Sequence, residues 1–250
     1  YGGSMEGAIN AETRTAPSMP LTLDVRMVRV DANKLLSAAT PARQMIFGTL
    51  GGNVKLRLRA GDPDALVKSL NGTLDVKLEN GKIAGVNLLN EIAKVAKFMG
   101  YAKQETAFTN VVLLTGTLAL KDGVAATDNL QMELDGAKVG ATGTIDLATQ
   151  KLDLRMTSTI SKELSERVGG TQVGGFMVTA MANEARQLVV PVIVRGAMSG
   201  PKVTPDAERI TQMNIKKMTP PKMAEAIKES EEKLKGVLDI FKKKKKQPEK

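Results

Sequence analysis

The residues that do most proton and nucleophile chemistry are absent from this chain or scattered along it. It contains no His and no Cys. That removes an imidazole general base, a thiolate nucleophile, a Cys/His zinc site and a disulfide framework. A hydrolase built without His needs a Ser–Lys pair, and Ser230 and Lys233 have the spacing. The companion Ser-Asp-Asn and Lys-Thr-Gly motifs are missing, and an exposed helix explains the pair better. Asp75, Glu79, Asp135, Asp146 and Asp153 fall on the polar side of predicted strands or at turns, where water accounts for them. Asp122, Asp128 and Asp135 lack the tight spacing of a calcium loop. Neither a Gly-x-x-x-x-Gly-Lys-[Ser/Thr] loop nor a Gly-x-Gly-x-x-Gly loop occurs. The expectation is a non-enzymatic protein with no cofactor and no metal.

The chemistry left is apolar contact, and period-two alternation positions it. Hydrophobic residues make up 42% of the chain and aromatic ones 3%, with 13 Met and no Trp. Few rings argue against a single-strand nucleic-acid reader, which stacks bases on aromatic side chains, so no specific nucleic-acid partner is expected. Leu21, Leu23, Val25 and Met27 alternate with Thr22, Asp24 and Arg26. The same rhythm gives a candidate lipid-facing row of Leu56, Leu58, Leu74, Val76, Leu78, Leu118, Leu120, Met132, Leu134, Leu154, Met156, Val192 and Val194. Strands with one apolar and one charged face belong to antiparallel sheets. The apolar face has two readings: a core covered by helices or by the curling sheet, or a groove that receives hydrocarbon.

The elements around this row follow from local signals. Asn80-Gly81 and Asp122-Gly123 read as two-residue hairpin turns, with Ala148-Thr149-Gln150-Lys151 as a third. Leu70-Asn71-Gly72-Thr73-Leu74 is echoed by Leu114-Thr115-Gly116-Thr117-Leu118 and by Ala141-Thr142-Gly143-Thr144-Ile145. Such a repeat implies a sheet assembled from similar hairpins. Asn87 caps a predicted helix whose Leu88, Ile92, Val95, Ala96 and Met99 share a face up to Gly100, and Asp64–Leu70 reads as a short helix. Ser161–Glu184 has two readings: Lys162–Val168 fits a helix, while Gly169, Gly170, Gly174 and Gly175 suggest a mobile loop. Thr204-Pro205 and Thr219-Pro220 read as helix starts. In the second, Met223, Ile227, Leu234, Leu238 and Phe241 form a stripe that fits a partner helix, the sheet or a membrane surface. The expected organisation is a mainly β (α+β) domain over 1–200, a long curved antiparallel sheet with helices near 64–70 and 88–99. A helical segment over 201–241 and a disordered tail over 242–250 complete it.

The chain has 250 residues and a formal charge of +9. Its last nine residues hold six Lys and one Glu, so most of the excess sits there. The run Lys242, Lys243, Lys244, Lys245 and Lys246 is either a solvated tail or an anchor to anionic lipid, worth about 1 kcal/mol per Lys near such a surface. The longest aliphatic run, Leu188–Val194, is far short of the ~20 residues that span a bilayer. A chain that starts at Tyr1 reads as a fragment with its anchor upstream.

Taken in order, these pieces resemble the carboxy-terminal region of AsmA family proteins. The resemblance rests on Tyr1-Gly2-Gly3, Ser69-Leu70-Asn71-Gly72-Thr73 and Asn80-Gly81-Lys82-Ile83-Ala84-Gly85-Val86-Asn87-Leu88. It continues through Thr106 with Phe108, Leu114 with Gly116-Thr117, Gly123 and Thr127-Asp128-Asn129-Leu130. It closes on Gly143-Thr144-Ile145-Asp146-Leu147, Val190-Pro191-Val192 with Val194 and Gly196, and Gly200-Pro201-Lys202-Val203 with Pro205-Asp206. The resemblance implies a curved β-sheet with an apolar concave face, on a protein held in the inner membrane by an amino-terminal helix and projecting into the periplasm. It further implies a part in outer-membrane biogenesis, with phospholipid or another acyl lipid as ligand and envelope assembly proteins as partners. It supplies no catalytic residues. Two functions stay open: binding or conducting acyl chains along the groove, or a scaffold that affects protein targeting to the membrane without lipid cargo.

Overall fold

The computed structural model describes residues 2–15, 18–39, 43–96, 107–163, 182–185 and 187–218. Ten strands hydrogen-bond in sequence order into one antiparallel sheet. They are β1 (Ser4–Ala11), β2 (Met19–Asp31), β3 (Ile46–Ala60), β4 (Asn71–Ala84) and β5 (Phe108–Lys121). β6 (Val124–Leu134), β7 (Ala137–Asp146), β8 (Lys151–Ile160), β9 (Val189–Ala197) and β10 (Lys202–Pro205) come next. Among the described residues four α-helices accompany them: α1 (Ala32–Ala39), α2 (Pro63–Lys68), α3 (Leu88–Ala96) and α4 (Ala207–Met218). The chain forms two compact units, Tyr1–Ile210 and Thr211–Lys250; the sheet and α1–α3 belong to the first.

Cross-strand partners project from the same face, so the register shows which side chains share a surface. One row runs Ile9, Leu23, Leu56, Gly72, Leu120, Ala125, Ile145, Leu152, Gly196. A parallel row runs Leu50, Leu78, Leu114, Met132, Val139, Ser158, Val190. Both are apolar apart from Ser158, and the charged residues between them face the other way.

Alternation alone would break this face at several points, because the strands are irregular. Arg29 adopts φ 55 between Met27 and Val30, where the β2–β3 register shifts. Met27 and Val30 are therefore both buried although three residues apart. Asn80 does the same with φ 48: a Cβ placed on Gly81 would lie 2.7 Å from the Leu78 side chain, so both point inward. This corrects the reading of Asn80-Gly81 as a hairpin turn. The left-handed residue serves a bulge, and β4 runs on to Ala84, paired with β3 and β5.

The other turns fall where expected. Asp122 (φ 50) and Gly123 (φ 79) join β5 to β6, and Leu147–Gln150 joins β7 to β8. The turn at Asp135-Gly136, joining β6 to β7, is additional to those expected, although Gly136 takes φ 84. Asp62 caps α2 by accepting a hydrogen bond from the Ala65 N–H at 3.0 Å, with Pro63 at the first position. Asn87 caps α3 through the Asn90 N–H at 3.1 Å. The expected helix start at Thr204-Pro205 is corrected: these residues end β10, and Asp206 accepts the Arg209 N–H at 3.2 Å to open α4. β1 and β10 are also strands that the alternation does not announce. The predicted end of α3 at Met99-Gly100, most of the Ser161–Glu184 segment, and the helix and tail beyond Thr219, Ser230 and Lys233 included, lie outside the described residues.

The sheet curls. α3 packs on β5 along one side and on β9 and β10 along the other. Five strand spacings in a flat sheet measure about 24 Å, more than twice the ~10 Å diameter of a helix. One helix reaches both only if the strands between wrap round it. Where the two sides approach, a Cβ on Gly85 would sit 3.0 Å from the Ser199 carbonyl oxygen.

The repeated glycine supports this curvature. Gly72 has φ 137 and faces inward between Leu56 and Leu120; a Cβ there would be 2.0 Å from the Lys55 carbonyl oxygen. Gly72→Ala is expected to lower unfolding free energy by about 2 kcal/mol or more in urea titrations. Gly200→Ala, with open space around the site, should stay within about 0.5 kcal/mol. Ser158 is fully buried in the inward row, and among the described residues its hydroxyl has no hydrogen-bond partner. Ser158→Ala is therefore expected to raise stability by about 1 kcal/mol in the same assay.

Candidate lipid-binding face

The concave face divides along the strands into a filled end and an open end. At the filled end α1 lies on β2 and β3, where Ala32 and Leu35 join Met27, Val30, Leu50 and Leu78. α3 fills the curl with Leu88 and Ile92, which join Val111, Leu134, Val139, Met156 and Val190 in one cluster. Thr109 fixes the entry to α3: its hydroxyl accepts from the Leu88 N–H at 2.9 Å and donates to the Val86 carbonyl at 2.7 Å. A polar residue thus sits in the apolar row with both its bonding directions used.

Toward the opposite end, where the hairpin turns Asp122-Gly123 and Leu147–Gln150 lie, Val25, Leu120 and Ala125 are buried but many inward side chains of β2–β5 are only half-buried. Leu21, Leu23, Leu56, Leu58, Leu74, Val76 and Leu118 all fall in this class. They form adjacent cross-strand pairs: Leu21 with Leu58, Leu23 with Leu56, Val54 with Leu74, and Leu74 with Leu118. On β1 the row continues with Ile9, 64% exposed, and Met5, 48% exposed.

The residues singled out from the sequence therefore share one face but not one environment. Leu56, Leu58, Leu74, Val76 and Leu118 lie in the half-buried part. Leu78, Leu120, Met132, Leu134, Leu154, Met156, Val192 and Val194 are buried, and all of these except Leu120 pack within the two core clusters. Ile9 and Met5 escape sequence reasoning because the alternation is traceable only from Leu21. Leu21 and Leu23 belong with the half-buried group by register. Lys242–Lys246 lie outside the described residues.

The convex face is polar and holds the exposed ion pairs. Lys55 Nζ is 3.9 Å from Asp24, Lys77 Nζ is 2.7 Å from Glu79, and Arg195 Nε is 2.8 Å from Asp153. Pairs this exposed contribute at most about 1 kcal/mol each; their effect is to keep this face in water. Arg155 reaches the start of α4, 2.9 Å from Glu208 and 3.7 Å from the buried Asp206. Its hydrogen bond to Glu208 is the largest cause raising the guanidinium pKa. Among the described residues no group of acidic side chains could hold a metal ion, and no helix is long and apolar enough to cross a membrane.

An antiparallel meander with an apolar concave face is the architecture these strands define. A family model described as the AsmA family matches residues 1–130, more than half of the chain. The chain belongs to the AsmA family, a bacterial envelope family. The match extends from β1 into β6; the motifs of β7–β10 lie beyond it and continue the same register. No curated protein and no solved structure matches the chain.

The open end is bounded by turns, and one has a titratable lock. Asp146 Oδ1 accepts the N–H groups of Ala148 and Thr149, both at 2.9 Å. The Thr149 N–H is the largest cause holding this carboxyl below its ordinary value of 3.8, followed by the Thr149 hydroxyl. A depressed carboxyl stabilises the fold fully above its unfolded pKa and loses that contribution as pH falls through the lower folded value. In urea titrations the wild type is expected to lose stability below about pH 4, and Asp146→Asn to show a shallower acid slope. Identical slopes would remove Asp146 from the account.

Proposed function

We propose that this chain is a non-enzymatic envelope protein that holds acyl chains of phospholipid or a related lipid on the half-buried end of its concave face. One observation carries the reading. Leu23–Leu56 and Leu74–Leu118 lie on one apolar inward surface that is only half-buried, with Leu74 resting against the core under α1. Membership in an envelope family supports it by tying the chain to an envelope-related function. Binding draws about 0.8 kcal/mol from each CH₂ removed from water, with no directional contact, so a chain can be retained and still slide along the row. We take the working position to be the periplasmic face of the inner membrane, as the sequence resemblance implies.

The packed end of the face favours a second reading. Met132, Leu134, Met156 and Val192 are held as core around α3, which suits a scaffold for envelope assembly proteins that carries no lipid. Leu56→Ser combined with Leu74→Ser separates the two. Both sites are half-buried, so the variant retains most of the core. Loss of about 1.4 kcal/mol of apolar contact would weaken fatty-acid binding about tenfold, measured by displacement of a fluorescent acyl probe. Unchanged affinity in a folded variant, or no binding by the wild type, would favour the scaffold.

A further inference from the structure

Two helices rest on the concave face, and they are held in different ways. α3 is fastened by polar bonds: the Thr109 hydroxyl accepts from the Leu88 N–H at 2.9 Å and donates to the Val86 carbonyl at 2.7 Å. Its Leu88 and Ile92 are buried in the larger core. α1 meets the sheet through Ala32 and Leu35, which join Met27, Val30, Leu50 and Leu78. Its cap is local, with Asp31 accepting the Lys34 N–H at 2.9 Å. Asn33 Nδ2 is buried and, among the described residues, has no hydrogen-bond partner. A buried unpaired amide opposes the packing that holds it. Eight residues are also too few to stay helical once off a surface. Val54, Leu74 and Val76 of the half-buried face pack directly against the cluster under α1.

We infer that α1 is a displaceable cover on the acyl site: a hydrocarbon chain lying along Val54 and Leu74 replaces it over Val30, Leu50 and Leu78. The inference rests on the lipid reading above and adds its regulation. The exchange is close to even, because Ala32 and Leu35 offer the sheet apolar contact that methylene groups supply equally well. Displacement also returns the Asn33 amide to water. α3 is not exchangeable in this way, since hydrocarbon has no N–H for Thr109 to accept, and its departure would leave a polar group unpaired on an apolar floor. The site thus has a fixed wall at α3 and a yielding one at α1, and it lengthens as it fills.

The absence of Cys lets single thiols report the exchange. Ala32→Cys places one on α1 at a fully buried site, and Leu50→Cys places one on the sheet in the same cluster. Val190→Cys, fully buried in the core around α3, is the reference. In the 250-residue chain without ligand, both reporters should react with a maleimide at least about tenfold faster than Val190→Cys, which waits for global unfolding. Lauric acid below its micellar concentration should then speed Ala32→Cys further and slow Leu50→Cys, because one cover is traded for another. Asn33→Leu should slow Ala32→Cys about tenfold by removing the unpaired amide. Three results overturn the cover while the lipid reading stands, provided the acyl probe binds. They are reporters no faster than Val190→Cys, reporters that laurate moves in the same direction, and labelling unchanged by Asn33→Leu. A wild type that binds no acyl probe defeats the lipid reading instead, and the cover with it.

Discussion

Everything in this molecule depends on keeping one face of ten paired strands apolar while the sheet bends. Side chains alternate across a strand, so a one-residue slip would send a whole row to the wrong side. The register avoids that by steps of three wherever a strand is irregular. Met27 and Val30 face inward together, as do Leu78 and Gly81, and Thr127 and Leu130. Each step absorbs one extra residue without inverting the remainder of the strand. The irregularities are thus what keeps the apolar surface continuous.

Curvature is the second consequence of the same geometry. Strands with inward glycines can approach their neighbours more closely than any Cβ permits, and Gly52 and Gly72 each sit under a carbonyl oxygen of the adjoining strand. The sheet that results can wrap α3, and the wrapped part becomes an ordinary core, with Val190 and Val192 fully buried. The remainder of the face has too few neighbours to be covered to the same degree. A single surface therefore supplies a core, where helices fill it, and a half-buried apolar face, where they do not.

The convex face is charged where the concave face is apolar. Its ion pairs are exposed and weak, yet they make the two sides of each strand unequal. Arg155 has a more specific part, since it bridges β8 to the start of α4 through Glu208 and Asp206. The buried Asp206 also anchors by its backbone, donating its N–H to the Pro191 carbonyl at 3.1 Å. That contact ties the end of the sheet to the first turn of the helix beyond it.

Much of this was legible in the residues alone. Alternation of Leu and Val with Lys, Asp and Thr specified the middle strands and their facing, because period two has few other physical meanings. Asn87 marked the start of α3 and Asp122-Gly123 a tight turn, since both act through local backbone geometry. Asn80-Gly81 misled because positive φ is demanded equally by a turn and by a bulge, and only the pairing partners on both sides of β4 decide between them. β1 escaped notice because Gly7 and Ala8 dilute its pattern, and its identity as a strand comes from pairing with β2. What no local signal could decide was which inward residues are covered. Leu74 and Leu78 sit on the same strand and face the same way, yet one is half-buried and the other is core. That difference arises from α1, α3 and the far side of the curl, elements distant in sequence that meet only when the sheet closes on them.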